Sequence, residues 1–146
     1  MYSLRLATPD DFGAVLERTR TFNAHEGIAV DDPTLAMGLR RLLAEPALGG
    51  AWLVLREGTV IGHAVVTFGY DLEYGGVDSY LTEIWIDEAV RAAGAGSAAL
   101  ELIANELRAR DVRALHLQVR LDNPALRLYE RAGFVRSPRV VMTKSL

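Results

Sequence analysis

Two glycines three and five residues after an arginine, in Arg91-Ala-Ala-Gly94-Ala-Gly96, form the first segment whose residue types could do chemistry. Glycines there let a backbone approach a ligand closely and take conformations a Cβ forbids. A helix starting at such a turn offers unpaired N–H groups and the positive end of its dipole, an anion site that Arg91 would reinforce. A plain Ala/Gly turn at the start of a buried helix is the competing reading. The second feature is Glu83, a carboxylate inside the apolar run Leu-Thr-Glu-Ile-Trp-Ile. Such a group is out of place unless it is exposed or functional. Charge is also divided along the chain. Residues 1–90 carry 14 acidic and 6 basic side chains, residues 91–146 carry 5 and 10, and the net is −3. A basic half suits a phosphate-bearing ligand and an acidic half suits a cation, although charges of either sign also simply solvate a surface.

These residues need elements to position them. Tyr2–Ala7 alternates as a strand, and Thr8-Pro9-Asp10-Asp11 starts a helix with Phe12, Val15, Leu16 and Thr19 inward. Asp32-Pro33 starts a second helix with Leu35, Leu39, Leu42 and Leu43 inward, and the polar loop 23–32 joins the two. Ala51–Arg56 and Val60–Tyr70 flank a tight turn at Glu57-Gly58-Thr59, and Ser79–Asp87 follows as a third consecutive strand, an antiparallel meander. The helix after Gly96 carries Leu100, Ile103, Ala104 and Leu107 on one face. Arg113–Arg120 reads as a strand, Asn123–Ala132 as a helix capped by Asn123 and ended by Gly133, and Phe134–Val135 and Arg139–Thr143 as closing strands. The β-α-β order places strands four and five in parallel. The expected fold is mixed α/β: a mostly antiparallel central sheet of about 6–7 strands, with about 4 helices around it, in one domain over residues 1–146.

Several classes drop out. The absence of cysteine removes disulfides, thiolate metal sites and a cysteine nucleophile. No apolar run approaches the roughly 20 residues of a membrane span, and Met1–Arg5 does not read as a signal peptide, so the cytoplasm is the expected compartment. An acidic chain without a basic stripe among aromatics argues against nucleic acid. Gly94–Ala99 fits the dinucleotide fingerprint, but a meander precedes it, the following strand holds no carboxylate, and Asp122 comes late.

Asn123-Pro-Ala-Leu-Arg-Leu-Tyr129-Glu-Arg-Ala-Gly133-Phe134 decides between the readings. Spacing alone would make Tyr129 a core aromatic beside Ala125, Leu128 and Ala132. Taken in order, a strand, Arg-x-x-Gly-x-Gly, a helix, a strand and Asn-x-x-x-x-x-Tyr-x-x-x-Gly-Phe resemble the GNAT superfamily of N-acetyltransferases. The resemblance spans the chain in element order and residues 79–135 in motif. It departs at Ala92, where the family usually has glycine, and at Glu88, where it often has proline. It implies acetyl-coenzyme A as co-substrate and no metal. The pyrophosphate site would be Arg91, Ala92, Ala93, Gly94, Ala95, Gly96 and Ser97. Ile84, Trp85 and Ile86 would pair their backbone with the pantetheine arm, Asn123 would contact the cofactor, and Tyr129 would sit near the thioester sulfur.

On this reading Glu83 is the general base, directly or through a water, because an alkylammonium of pKa about 10.4 must lose a proton before it can attack. Tyr129 is the general acid, and a backbone N–H near Ile86 would hold the developing oxyanion. Alternation places Glu83, Trp85 and Asp87 on one strand face. Family members line the acceptor site with the loop between the first two helices and the turn between the third and fourth strands, which here gives His25, Glu26, Tyr70 and Glu73. With neighbouring acids, these favour a cationic acceptor such as a polyamine, an aminoglycoside or a lysine side chain. His63 and His116 read as structural. A homodimer is an arrangement the resemblance allows. A non-catalytic acyl-CoA-binding module is the alternative function; it would need neither Glu83 nor the Tyr129 hydroxyl.

Overall fold

The computed structural model describes residues 1–91 and 93–146. Five strands form one sheet in chain order: β1 (Tyr2–Leu6), β2 (Gly49–Arg56), β3 (Thr59–Asp71), β4 (Gly76–Ile86) and β5 (Ala114–His116). The first three pairings are antiparallel and β4 runs parallel to β5. Glu57 and Gly58 join β2 to β3 with φ of 49° and 80°, the positive pair that a two-residue hairpin needs.

Helices cover both faces. On one, α1 (Phe12–Glu26) and α2 (Asp32–Ala44) bury Val15, Leu16, Leu39 and Leu43 against Leu53 and Val65 of the sheet. On the other, α3 (Ala95–Ala109) packs Leu100, Ile103 and Leu107 on Trp52, Val66 and Leu81, and α4 (Leu126–Arg131) adds Leu128 and Tyr129. No helix of the described residues is long and apolar enough to cross a membrane.

The entry to α1 shows why the local sequence signals work. A 3-10 turn, Pro9–Asp11, precedes it, and Asp11 accepts a hydrogen bond from the Thr8 backbone N–H at 2.9 Å. Arg5 grips the same carboxylate through both Nη atoms at 2.9 and 3.0 Å. The Arg5 hydrogen bonds, then that of Thr8, pull the Asp11 carboxyl down to about 2. A carboxyl lowered on folding contributes stability above its ordinary value of 3.8, and that contribution is lost as pH falls toward about 2. Asp11→Ala is therefore expected to cost about 1 kcal/mol at neutral pH, a few degrees of melting temperature. Thermal unfolding across that acid range should show the gap to wild type closing.

The sheet is smaller than the 6–7 strands read from sequence. Of Arg113–Arg120 only Ala114–His116 pairs, with Asp78–Tyr80. Neither Phe134–Val135 nor Arg139–Thr143 forms a strand. Val135, Val140 and Met142 are 82–91% exposed, so their alternation has no buried face to lie on. β-propensity without cross-strand and same-face neighbours does not hold a strand. The α1–α2 loop is also shorter than expected: α1 keeps residues 23–26 helical and ends at Gly27, in the left-handed conformation with φ 69°.

Candidate active site

The site begins with an irregularity in β4. Val65 pairs with Glu83 but Val66 pairs with Leu81, so Thr82 is an extra residue, a β-bulge. The bulge reverses the alternation: Leu81 packs in the α3 layer, whereas Glu83 lies opposite Val65, which packs under α1 and α2. The expectation that Glu83, Trp85 and Asp87 share a face holds because all three lie beyond it. Trp85 is buried, its ring edge-to-face with that of His25 at 5.5 Å between centroids, and Asp87 takes two hydrogen bonds from Arg18 at 2.9 and 3.2 Å.

The sequence reading passed over the partner of Glu83. His63 is wholly buried in β3, and its Nε2 lies 3.0 Å from Glu83 Oε1. A carboxylate oxygen can only accept, so Nε2 carries the hydrogen and donates it; Nδ1 has no partner among the described residues. Two polar residues within adjacent apolar strands were the available signal. Their meeting depends on the register, which sequence does not display.

Beyond Tyr80, β4 has no ladder partner on its β5 side. The chain after His116 turns away and opens a cleft of about 390 Å³ between Leu81–Ile84 and Leu117–Arg120. Phe22, Glu26, Ile28, Asn123 and Tyr129 complete its wall. Asn123 does not cap the helix as expected: α4 starts at Leu126 with Ala125 at its N-cap, and Asn123 Oδ1 accepts from the Ala125 N–H at 2.9 Å in the turn that precedes it, while its Nδ2 reaches toward Glu26 Oε1 at 3.5 Å. Tyr129 meets Phe134 edge-on at 6.0 Å. Burial first, and the Glu26 carboxylate second, hold its phenol above the ordinary 10.0.

At the end of β4 lies the glycine turn. Gly94 has φ 75° and caps α3, so the N–H groups of Ala95, Gly96 and Ser97 have no intrahelical acceptor. A Cβ at Gly96 would lie 3.1 Å from Leu128, so this glycine lets α4 close on the first turn of α3. Arg91 braces the turn: its Nε donates to the Ile86 carbonyl at 2.9 Å and its guanidinium lies 4.3 Å over Trp85. Tyr2, missed by the sequence reading, donates its hydroxyl to the Ala93 carbonyl at 2.7 Å and ties the turn to β1. Ile84 and Ile86 face the α3 layer. Ala92, expected in the turn, lies outside the described residues.

The expected acceptor residues divide. His25 and Glu26 reach the site, the first against Trp85 and the second in the cleft. Tyr70 and Glu73 do not. Tyr70 pairs with Val77 at the tip of the β3–β4 hairpin, six residues from Glu83, roughly 20 Å at about 3.3 Å per residue. Glu73 lies 3.6 Å from Arg139 there, outside the cleft. His116 stays near the same end of the sheet, with Nε2 3.2 Å from Asp78 Oδ2.

The sequence profile of the acetyltransferase (GNAT) family matches residues 16–134. No curated protein sequence matches the chain. Among solved structures, an integron cassette protein from the mobile metagenome of Cole Harbour Salt Marsh is 27% identical, with a TM-score of 0.85 over 99% of this chain and 90% of its own. A Clostridium acetobutylicum protein described as a predicted acetyltransferase and solved with acetyl-CoA is 19% identical, with a TM-score of 0.81 over 99% and 96%. An aminoglycoside acetyltransferase from an uncultured soil metagenomic sample is 15% identical, with a TM-score of 0.78 over 99% and 95%. By sequence and by architecture, the chain belongs to the acetyltransferase (GNAT) family.

Proposed function

We propose that this protein transfers the acetyl group of acetyl-CoA to a primary amine, by direct attack and without a covalent enzyme intermediate. The observation that carries the reading is the position of Glu83: it borders both the cleft beside Tyr129 and a second cavity under α1 and α2. A carboxylate at that junction can take a proton from an amine arriving on one side while an acyl donor occupies the other.

The residues fit such a donor. The free N–H groups at the start of α3 suit a pyrophosphate, and the unpaired edge of β4 suits the amide-bearing pantetheine arm. Bound there, acetyl-CoA supplies the acetyl group as a thioester, activated toward amines. Glu83, oriented by the His63 N–H, accepts the proton that the amine must lose. A backbone N–H of β4 near Ile86 stabilises the negative charge that develops on the carbonyl oxygen. Tyr129, kept protonated by its buried setting, delivers a proton to the departing sulfur. Glu26 raises the phenol and so helps keep that proton in place.

Thermal unfolding with acetyl-CoA, with NADH as control, tests the cofactor assignment. At about 100 times its dissociation constant a ligand adds roughly 2.7 kcal/mol, several degrees for this chain length. The expected result is a shift with acetyl-CoA alone, followed by thiol release on adding a primary amine. A shift without thiol release from any amine would make the protein an acyl-CoA-binding module, and no shift would remove the cofactor assignment.

A further inference from the structure

The second cavity holds about 260 Å³ between α1, α2 and the sheet. Its walls are largely aliphatic, from Val30, Leu35, Leu39, Leu42 and Val65, and among the described residues its one ionisable lining group is Glu83. The acids that made this region look like a polycation site are engaged elsewhere. Asp31 accepts from the Thr34 hydroxyl at 2.7 Å and the Thr34 N–H at 3.2 Å, capping α2. Asp32 pairs with Arg20 at 3.1 Å, and Glu26 belongs to the cleft, near Asn123 and Arg120.

A glycine marks the mouth. Gly38 lies in the interior of α2 on the stripe with Thr34, Leu35 and Leu42, and it lines the cavity. Glycine weakens a helix interior relative to alanine. Nothing lies within 4 Å of a Cβ built there, so no close backbone contact calls for it. The missing side chain leaves the cavity open instead. Deeper in, Thr19 is 2% exposed and its hydroxyl has no partner among the described residues.

We propose that this cavity is the acceptor subsite, and that the acceptor is a monoamine bearing one compact apolar group, its nitrogen at Glu83. The proposal rests on the acetyl-transfer reading and narrows its substrate class. An apolar cavity of about 150 Å³ accommodates a benzene ring, so the present one suits a single ring or a chain of roughly five or six carbons. A second ammonium, as on a polyamine or an aminoglycoside, would stand against Leu35, Leu39 and Leu42 with no carboxylate to pair it, an unfavourable burial of charge.

The test is kcat/KM over a series of alkylamines from ethylamine to hexylamine, with spermidine and kanamycin alongside. Efficiency should climb about fourfold for each methylene buried, and both polycations should fall below hexylamine. Gly38→Leu fills the mouth and should erase most of the chain-length gain, costing hexylamine at least tenfold, while Gly38→Ala gives a smaller loss. Both variants should retain the wild-type melting shift with acetyl-CoA, which shows them folded and donor-competent. A polycation preferred over hexylamine, or hexylamine kinetics unchanged in folded Gly38→Leu, would overturn the proposal and leave acetyl transfer standing. No acetyl-CoA shift in the wild type, or no thiol release from any amine, would overturn both.

Discussion

Replacing Glu83 by glutamine is expected to lower kcat/KM for amine acetylation by two to three orders of magnitude at neutral pH, within the range usual for a general base. The substitution is close to isosteric, and a glutamine carbonyl can still accept the hydrogen bond that His63 Nε2 now gives Glu83 at 3.0 Å. The fold and the acetyl-CoA melting shift should therefore survive, so the loss reads as chemistry. The sign of its pH dependence follows from the acceptor. An alkylamine of pKa about 10.4 is mostly ammonium at pH 7, and a variant without a base must wait for the neutral minority. That minority grows about tenfold per pH unit, so the deficit should shrink as pH rises toward the amine's own pKa. Stopped assays from neutral to alkaline pH check this. A deficit constant with pH would mean that Glu83 positions the substrate without deprotonating it.

Tyr129→Phe should lower kcat by about a hundredfold and leave KM for acetyl-CoA nearly unchanged, because the lost interaction forms only as the sulfur departs. The ring remains, and with it the packing against Phe134 and the α3 layer, so stability should change little. Burial and Glu26 hold the phenol above 10.0, so the acid stays protonated across the neutral and mildly alkaline range. Wild-type kcat should accordingly show no loss of this acid below that value, which steady-state kinetics at saturating substrates would reveal. Equal falls in kcat and in acetyl-CoA affinity would assign Tyr129 to donor binding instead.

The two predictions differ in how far sequence alone could reach them. Tyr129 stands in a motif whose helix end and following Phe134 are local features, and the residue lines the cleft. Glu83 was conspicuous as a carboxylate in an apolar run, yet its hydrogen bond to His63 was invisible. That contact depends on the pairing of β3 with β4 and on the bulge at Thr82, and neither leaves a mark on residue types. The bulge also sends Leu81 to the opposite face from Glu83, against simple alternation. Arg91 shows a mixed outcome: its place in the glycine turn was legible, whereas its hold on the Ile86 carbonyl was not.

What the sequence determined by itself is local. The cap at Thr8, the Asp32-Pro33 start of α2, the Glu57-Gly58 turn, the apolar stripes of α1, α2 and α3, and the glycine turn before α3 are short-range choices of backbone conformation and periodic burial. They are settled within a few residues of the chain. The tertiary structure decided whatever depends on a distant partner. It limited β5 to three residues, because the chain after His116 diverges from the β4 edge and leaves a cleft beside Leu81–Ile84, and it left the segment after Phe134 without strand structure, because no buried face receives it. It carried Tyr70 and Glu73 away from Glu83 to the far hairpin tip. It also engaged the loop acids in caps and ion pairs and left an aliphatic cavity where their count suggested a cradle for cations. Composition counts charges, but the free charge in a site is what remains after folding has paired the rest.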